Sequence, residues 1–104
     1  MSNPVFHPEA LQDMLEAAGY YNEKAAGLGN DFLQETQVAV EAICEAPTRW
    51  PKRKDGTRRF LPQRFPYIVV YKYYQDTDTV WIASIAHSRR KAGFWRDRLS
   101  EHND

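Results

Sequence analysis

The sequence has little cysteine, no long apolar run and, over its first 47 residues, almost no positive charge. The lone Cys44 excludes an internal disulfide framework and a multi-cysteine zinc site. No stretch approaches the roughly 20 apolar residues that span a bilayer. The opening MSNPVFHPEA has neither the positive start nor the apolar centre of a secretion signal, so a soluble cytoplasmic protein with no membrane partner is expected. Repeats, low-complexity tracts and Gly/Ser linkers are missing too, and 104 residues suit one hydrophobic core, a single domain over 1–104. The glycines follow neither the dinucleotide nor the phosphate-loop pattern, and no His or Cys spacing offers a metal site, so no cofactor is expected.

Charge is abundant but divided. Residues 1–47 carry Lys24 against eight acidic residues, a net −7, whereas residues 48–104 carry thirteen Lys and Arg against six acids, a net +7. A neutral chain divided this way can present a basic side to a polyanion or an acidic protein. The plainer alternative is that the two halves neutralise each other in the fold.

The first half has helical periodicity. Pro8 suits a first helical turn, and Leu11, Met14, Leu15, Ala18 and Tyr21 follow at three- and four-residue spacing. Glu9, Asp13 and Glu16 fall largely off that stripe and read as its solvated face. The helix should fade near Ala26, where Gly27-Leu28-Gly29 makes a break. Asn30 and Asp31 are good start residues for a second helix with Phe32, Thr36, Ala39, Val40 and Ile43 on one face, ended by Pro47. Cys44 reads as a small core residue whose thiol Glu41 and Glu45 would keep protonated. A short connection makes the two helices an antiparallel hairpin.

The second half changes period. Residues 67–74 and 79–86 are rich in β-branched and aromatic residues, and Asp76-Thr77-Asp78 supplies turn chemistry between them. Residues 58–61 read as a weaker strand, placed at an edge by Pro62, and Val5-Phe6 begins the sheet. Trp50-Pro51 reads as a packing plug under the following loop. A short helix over 93–99 ends the pattern. The fold class is therefore α+β: an N-terminal helical hairpin packed on a small, mostly antiparallel sheet, with a short C-terminal helix.

The basic residues fall into three groups: Arg49, Lys52, Arg53 and Lys54 before the first long strand; Arg58, Arg59 and Arg64 flanking it; Arg89, Arg90, Lys91, Arg96 and Arg98 after the last. The latter two groups are expected on one side of the sheet, near His87, Trp95 and Tyr67. Forked guanidinium donors match phosphate or carboxylate, and aromatic faces stack on bases, so this mixture points to nucleic acid or an acidic peptide. His87 beside two arginines suits either proton transfer or a structural hydrogen bond. His7 and His102 read as exposed.

Four stretches in order carry a resemblance. They are Val5-Phe6 and Pro8-Glu9-Ala10 before an acidic helix with Tyr20-Tyr21; Gly27-Leu28-Gly29 before Asp31-Phe32 and Glu35; Arg59-Phe60-Leu61 and Arg64-Phe65-Pro66-Tyr67 leading to Tyr71; and His87-Ser88-Arg89-Arg90 with Gly93-Phe94-Trp95 and Arg98. Over residues 4–98 this order resembles the RelE/ParE superfamily, toxins of bacterial type II toxin–antitoxin modules, often called plasmid stabilisation proteins. The resemblance implies the fold just described and a hetero-oligomer with a cognate antitoxin.

The superfamily divides by target. On the ParE side, which the long helical hairpin and the Arg64-Phe65-Pro66-Tyr67 strand entry favour, the chain inhibits DNA gyrase without a hydrolytic site. Arg58, Arg59, Arg64, Arg89 and Arg90 then form the target- or antitoxin-binding surface, and Trp95 packs or anchors. On the RelE side it cleaves mRNA in the ribosome. His87 or Tyr67 would then be the acid/base, Arg64 and Arg89 would stabilise the phosphorane, and Lys52 and Lys54 would contact the RNA backbone. Phe94 stands where many relatives carry Tyr before the Trp, and Phe cannot exchange a proton. A third reading is an inactive relative that only holds the antitoxin.

Overall fold

The computed structural model describes residues 1–90 and 93–99. The chain begins with strand β1 (Asn3–Phe6), whose ladder continues through the His7 N–H to the Ile82 carbonyl at 2.9 Å. His7 then turns the strand directly into helix α1 (Pro8–Lys24): its Nδ1 accepts the Glu9 N–H at 3.0 Å, and Pro8 takes the first helical position. His7 is buried, its ring edge-on to Trp81, rather than exposed as its position suggested.

Helix α1 meets the sheet through small side chains. Ala10, Ala17 and Ala18 are buried, with Met14 and Tyr21 half-buried beside them, whereas Leu11 and Leu15 are 42% and 55% exposed. The expected stripe is thus rotated toward the alanines, which admit a closer approach than leucine. Helix α2 (Leu28–Glu45) starts two residues before the expected Asn30. Gly27, at φ 85°, supplies the left-handed turn that a side chain would strain. Gly29 belongs to the helix rather than to the break. Its N–H donates to Asn22 Oδ1 at 2.7 Å, and its missing side chain lets α2 rest on the Ala18 carbonyl. The predicted inner face of α2, Phe32, Thr36, Ala39, Val40 and Ile43, is buried together with Cys44. Burial, and then Asp78 rather than Glu41 or Glu45, pushes the Cys44 thiol up from its ordinary value.

The remaining strands are β2 (Arg58–Phe60), β3 (Tyr67–Tyr74) and β4 (Thr79–His87), in the sheet order β1-β4-β3-β2. Among the described residues only the β1–β4 pairing is parallel. Strand β2 is an edge, as Pro62 implied. A 3-10 turn at Gln75–Thr77, with Asp78 left-handed, joins β3 to β4. Between Val70↔Ser84 and Tyr71↔Ile82, β4 carries the extra residue Ala83. That bulge lets Ile82 and Ile85 both face the helices, which strict alternation forbids.

The sheet is therefore apolar on both sides. Val69, Tyr71, Val80, Ile82 and Ile85 pack under the helical hairpin. Val70, Trp81 and Ala83 on the opposite side are covered by Trp95, Phe94 and Leu99 from the C-terminal segment, which ends in helix α3 (Arg96–Leu99). Arg98 fastens this segment: Nη1 donates to the Ala83 carbonyl at 2.9 Å and to Asp13 Oδ2 at 3.3 Å, and Nε lies 3.7 Å from Glu9. Asp13 is thus a buttress rather than part of a solvated face. No helix among the described residues is long and apolar enough to cross a membrane.

Candidate functional site

The expectation that the arginines of β2, its flanks and the β4 exit share one side of the sheet is met only in part. Arg58 and Arg59 are neighbours on β2, so pleating sends them to opposite faces. Arg58 turns to the loop before β2 and donates to the Trp50 carbonyl at 2.7 Å and the Thr48 carbonyl at 3.3 Å. Trp50 in that loop packs edge-on against Phe60 at 5.0 Å, the plug anticipated from its position. Arg64 lies on the helical side, where its guanidinium pairs with Asp31 at 3.2 Å and its N–H donates to Glu35. These two residues are committed elsewhere in the fold.

Arg59 does reach the far side. Its guanidinium lies 5.1 Å over the Trp95 ring. Burial first, and then the charges of Arg53 and Arg96, lower its pKa from the ordinary arginine value. It forms the wall between two spaces. One is a small cavity of about 60 Å³ lined by Ser84, His87, Arg90 and Trp95, among others. Arg59 Nε, Ser84 Oγ and Trp95 Nε1 are buried there without a hydrogen-bond partner among the described residues. The other is an open cleft of about 520 Å³ bounded by Lys52, Arg53, Lys54, Asp55 and Arg96. These cations fall into three groups along the chain, and the fold joins members of all three.

At the exit of β4, Arg89 donates its N–H to His87 Nδ1 at 3.0 Å, which leaves Nε2 to carry the proton of a neutral imidazole. Arg90 lies 3.7 Å over Phe94 and 3.6 Å from Asp13. Tyr67 stands on the helical side with its ring 5.5 Å from His87. Burial, and next Tyr21, pushes its phenol up to about 12. Trp95 is 4% exposed and packs on the sheet. Lys91 and His102 lie outside the described residues. Among the described residues no group of three His, Cys, Asp or Glu side chains is arranged to hold a metal ion.

A helical hairpin on a four-stranded sheet, followed by a short C-terminal helix, matches the RelE-like toxin fold. The crystal structure of the isolated Escherichia coli RelE toxin superposes with a TM-score of 0.56 over 98% of this chain and 99% of that one, at 10% identity, so the likeness is one of fold. A search of curated proteins finds no match. Residues 5–92 match the family model described as ParE toxin of type II toxin-antitoxin system, parDE. The chain belongs to that family, on the toxin side of a type II toxin–antitoxin module.

Proposed function

We propose that the chain is a ParE-like toxin that arrests growth by binding DNA gyrase and is neutralised by a cognate antitoxin. The observation that carries this reading is that the groups RNA cleavage would need are paired elsewhere or poorly suited to move a proton. Arg64 is held in an exposed ion pair with Asp31 of α2, and Tyr67 holds its proton up to about pH 12, far from the neutral range in which an acid/base works well. Phe94, beneath Arg90, has no proton to give. His87 and Arg89 stand at the end of β4 with the Tyr67 ring 5.5 Å from His87, but Arg64 is paired away from them. A toxin acting by contact needs no such assembly.

The antitoxin has a suitable seat outside the basic region. An open groove between α2 and β2 is lined by Val38, Ala39, Ala42, Phe60, Leu61 and Pro62, with Val38 and Leu61 more than half exposed. An amphipathic antitoxin segment would bury these side chains, and a hetero-oligomer in the cytoplasm is the form we expect at rest.

The test is gyrase-catalysed supercoiling with purified chain, beside growth after induction without antitoxin. The expected result is inhibited supercoiling and replication stopping before translation. His87→Ala is expected to remain toxic. Translation stopping first, with a loss of roughly 100-fold or more in mRNA cleavage on His87→Ala, would establish the RelE-like reading instead. Tolerated expression, with supercoiling untouched, would establish the antitoxin-holding relative.

A further inference from the structure

We infer that the cleft bounded by Lys52, Arg53, Lys54, Arg59 and Arg96 is a docking site for the phosphate backbone of duplex DNA. The inference is independent of the target proposed above. Five cations border this one opening, with Asp55 as the only acid among its lining residues. The ion pairs found among the described residues use Arg64, Arg90 and Arg98, and none of these five. Five like charges around a single carboxylate repel, so the arrangement opposes folding unless an outside anion compensates it.

The cleft is also built in advance. Arg53 closes the turn at both ends: its N–H donates to the Thr57 carbonyl at 2.8 Å, and its carbonyl accepts the Gly56 N–H at 2.9 Å. Asp55 Oδ1 accepts both the Thr57 N–H and its hydroxyl, at 2.9 and 2.6 Å. Burial would raise this carboxyl, but those bonds, and then Arg96 and Arg59, hold it below its ordinary value. Gly56, at φ 85°, permits the reversal, and a side chain there would press on Lys72 Cε at 3.1 Å. Lys52, Arg53 and Lys54 are exposed on a folded turn, so little backbone entropy is lost when they meet a ligand.

The lining chooses between polyanions. An acidic peptide needs apolar anchors beside its charges, and the cleft is lined entirely by charged side chains, whereas the apolar groove lies between α2 and β2. Single-stranded nucleic acid needs exposed aromatic faces for its bases, and the aromatic ring under Arg59 belongs to the buried Trp95. Duplex DNA keeps its bases stacked on each other and offers only spaced phosphates, which lysine and the arginine fork both bind.

The experiment measures anisotropy of a labelled mixed-sequence DNA duplex with the full-length chain as salt is varied, with no gyrase present. Four accessible cations on four phosphates give a log–log slope of about −3.6, or roughly a 150-fold loss of affinity between about 50 and 200 mM salt. Lys52→Ala combined with Lys54→Ala should reduce the slope by about 2. Lys24→Ala on α1 should leave it unchanged, and circular dichroism should show both variants folded. An unaltered slope in the double variant overturns the inference. So does stronger binding of a single-stranded RNA, or equal binding of polyglutamate at matched charge. Because gyrase is absent, a failure here is distinct from a failure to inhibit supercoiling.

Discussion

Replacing Arg98 by alanine removes a clamp that spans three parts of the molecule. The side chain is 8% exposed and donates to the Ala83 carbonyl at the bulge and to Asp13 on α1. Its loss strips a buried carbonyl of a partner, at roughly 1–3 kcal/mol. It also breaks a largely buried ion pair, for which roughly 3–5 kcal/mol is typical. Asp13 is 17% exposed and keeps Arg90 at 3.6 Å, so the second cost falls at or below the low end of that range. We expect about 3 kcal/mol in total. For a chain of this size that lowers the melting temperature by roughly 12–24 °C. Loosening the C-terminal segment should uncover Trp81 and Trp95 and shift tryptophan emission to the red. Arg98→Lys keeps the charge but loses the fork, so an intermediate loss is expected. Urea unfolding of both variants, with emission recorded in parallel, measures the effect. A stability for Arg98→Ala within about 1 kcal/mol of the parent, with emission unshifted, would refute the clamp, since ordinary surface changes fall within about 0.5 kcal/mol.

Two further outcomes follow from the packing. Gly29→Ala drives a methyl group into the Ala18 carbonyl and the Asn22 side chain, and should cost about 1–3 kcal/mol in urea unfolding despite alanine's better helix propensity. Burial raises the Tyr67 and Tyr71 phenols to about 12 from an ordinary 10.0, so the unfolded chain ionises first as pH rises. Stability from these residues is complete below pH 10 and falls as pH climbs through about 12, so the urea midpoint should drop there. Phenolate absorbance of the native protein checks this, and titration of all six tyrosines near pH 10 would count against it.

The elements were legible in the sequence because their signals are local. Helical spacing marked α1 and α2, β-branched and aromatic runs marked β3 and β4, and Pro62 marked the weak edge strand. The residue order of the four quoted stretches also disclosed the family. What escaped was decided by partners far along the chain. Leu11 and Leu15 fit a helical stripe as well as the alanines do, and only close contact with the sheet selects the smaller residues. His7 looked terminal and exposed, yet it is buried because β1 inserts beside β4. Arg58 and Arg64 could be assigned to the basic face only by ignoring pleating and the carboxylates of α2. Arg53, between two lysines already singled out, was a readable signal for the cleft. Arg96 was not, because its place beside the 52–54 turn depends on the C-terminal segment folding back.

The parallel pairing of β1 with β4 constrains how the molecule is made. Strand β1 must wait for residues 79–82 to leave the ribosome before it has a neighbour to zip against. Until then the helices can coil only against each other, with their greasy undersides bare. Distant pairing of this kind slows folding and prolongs exposure to sticking. Maturation is consequently a late event, completed only when β4 and the arginine latch beyond it have been delivered.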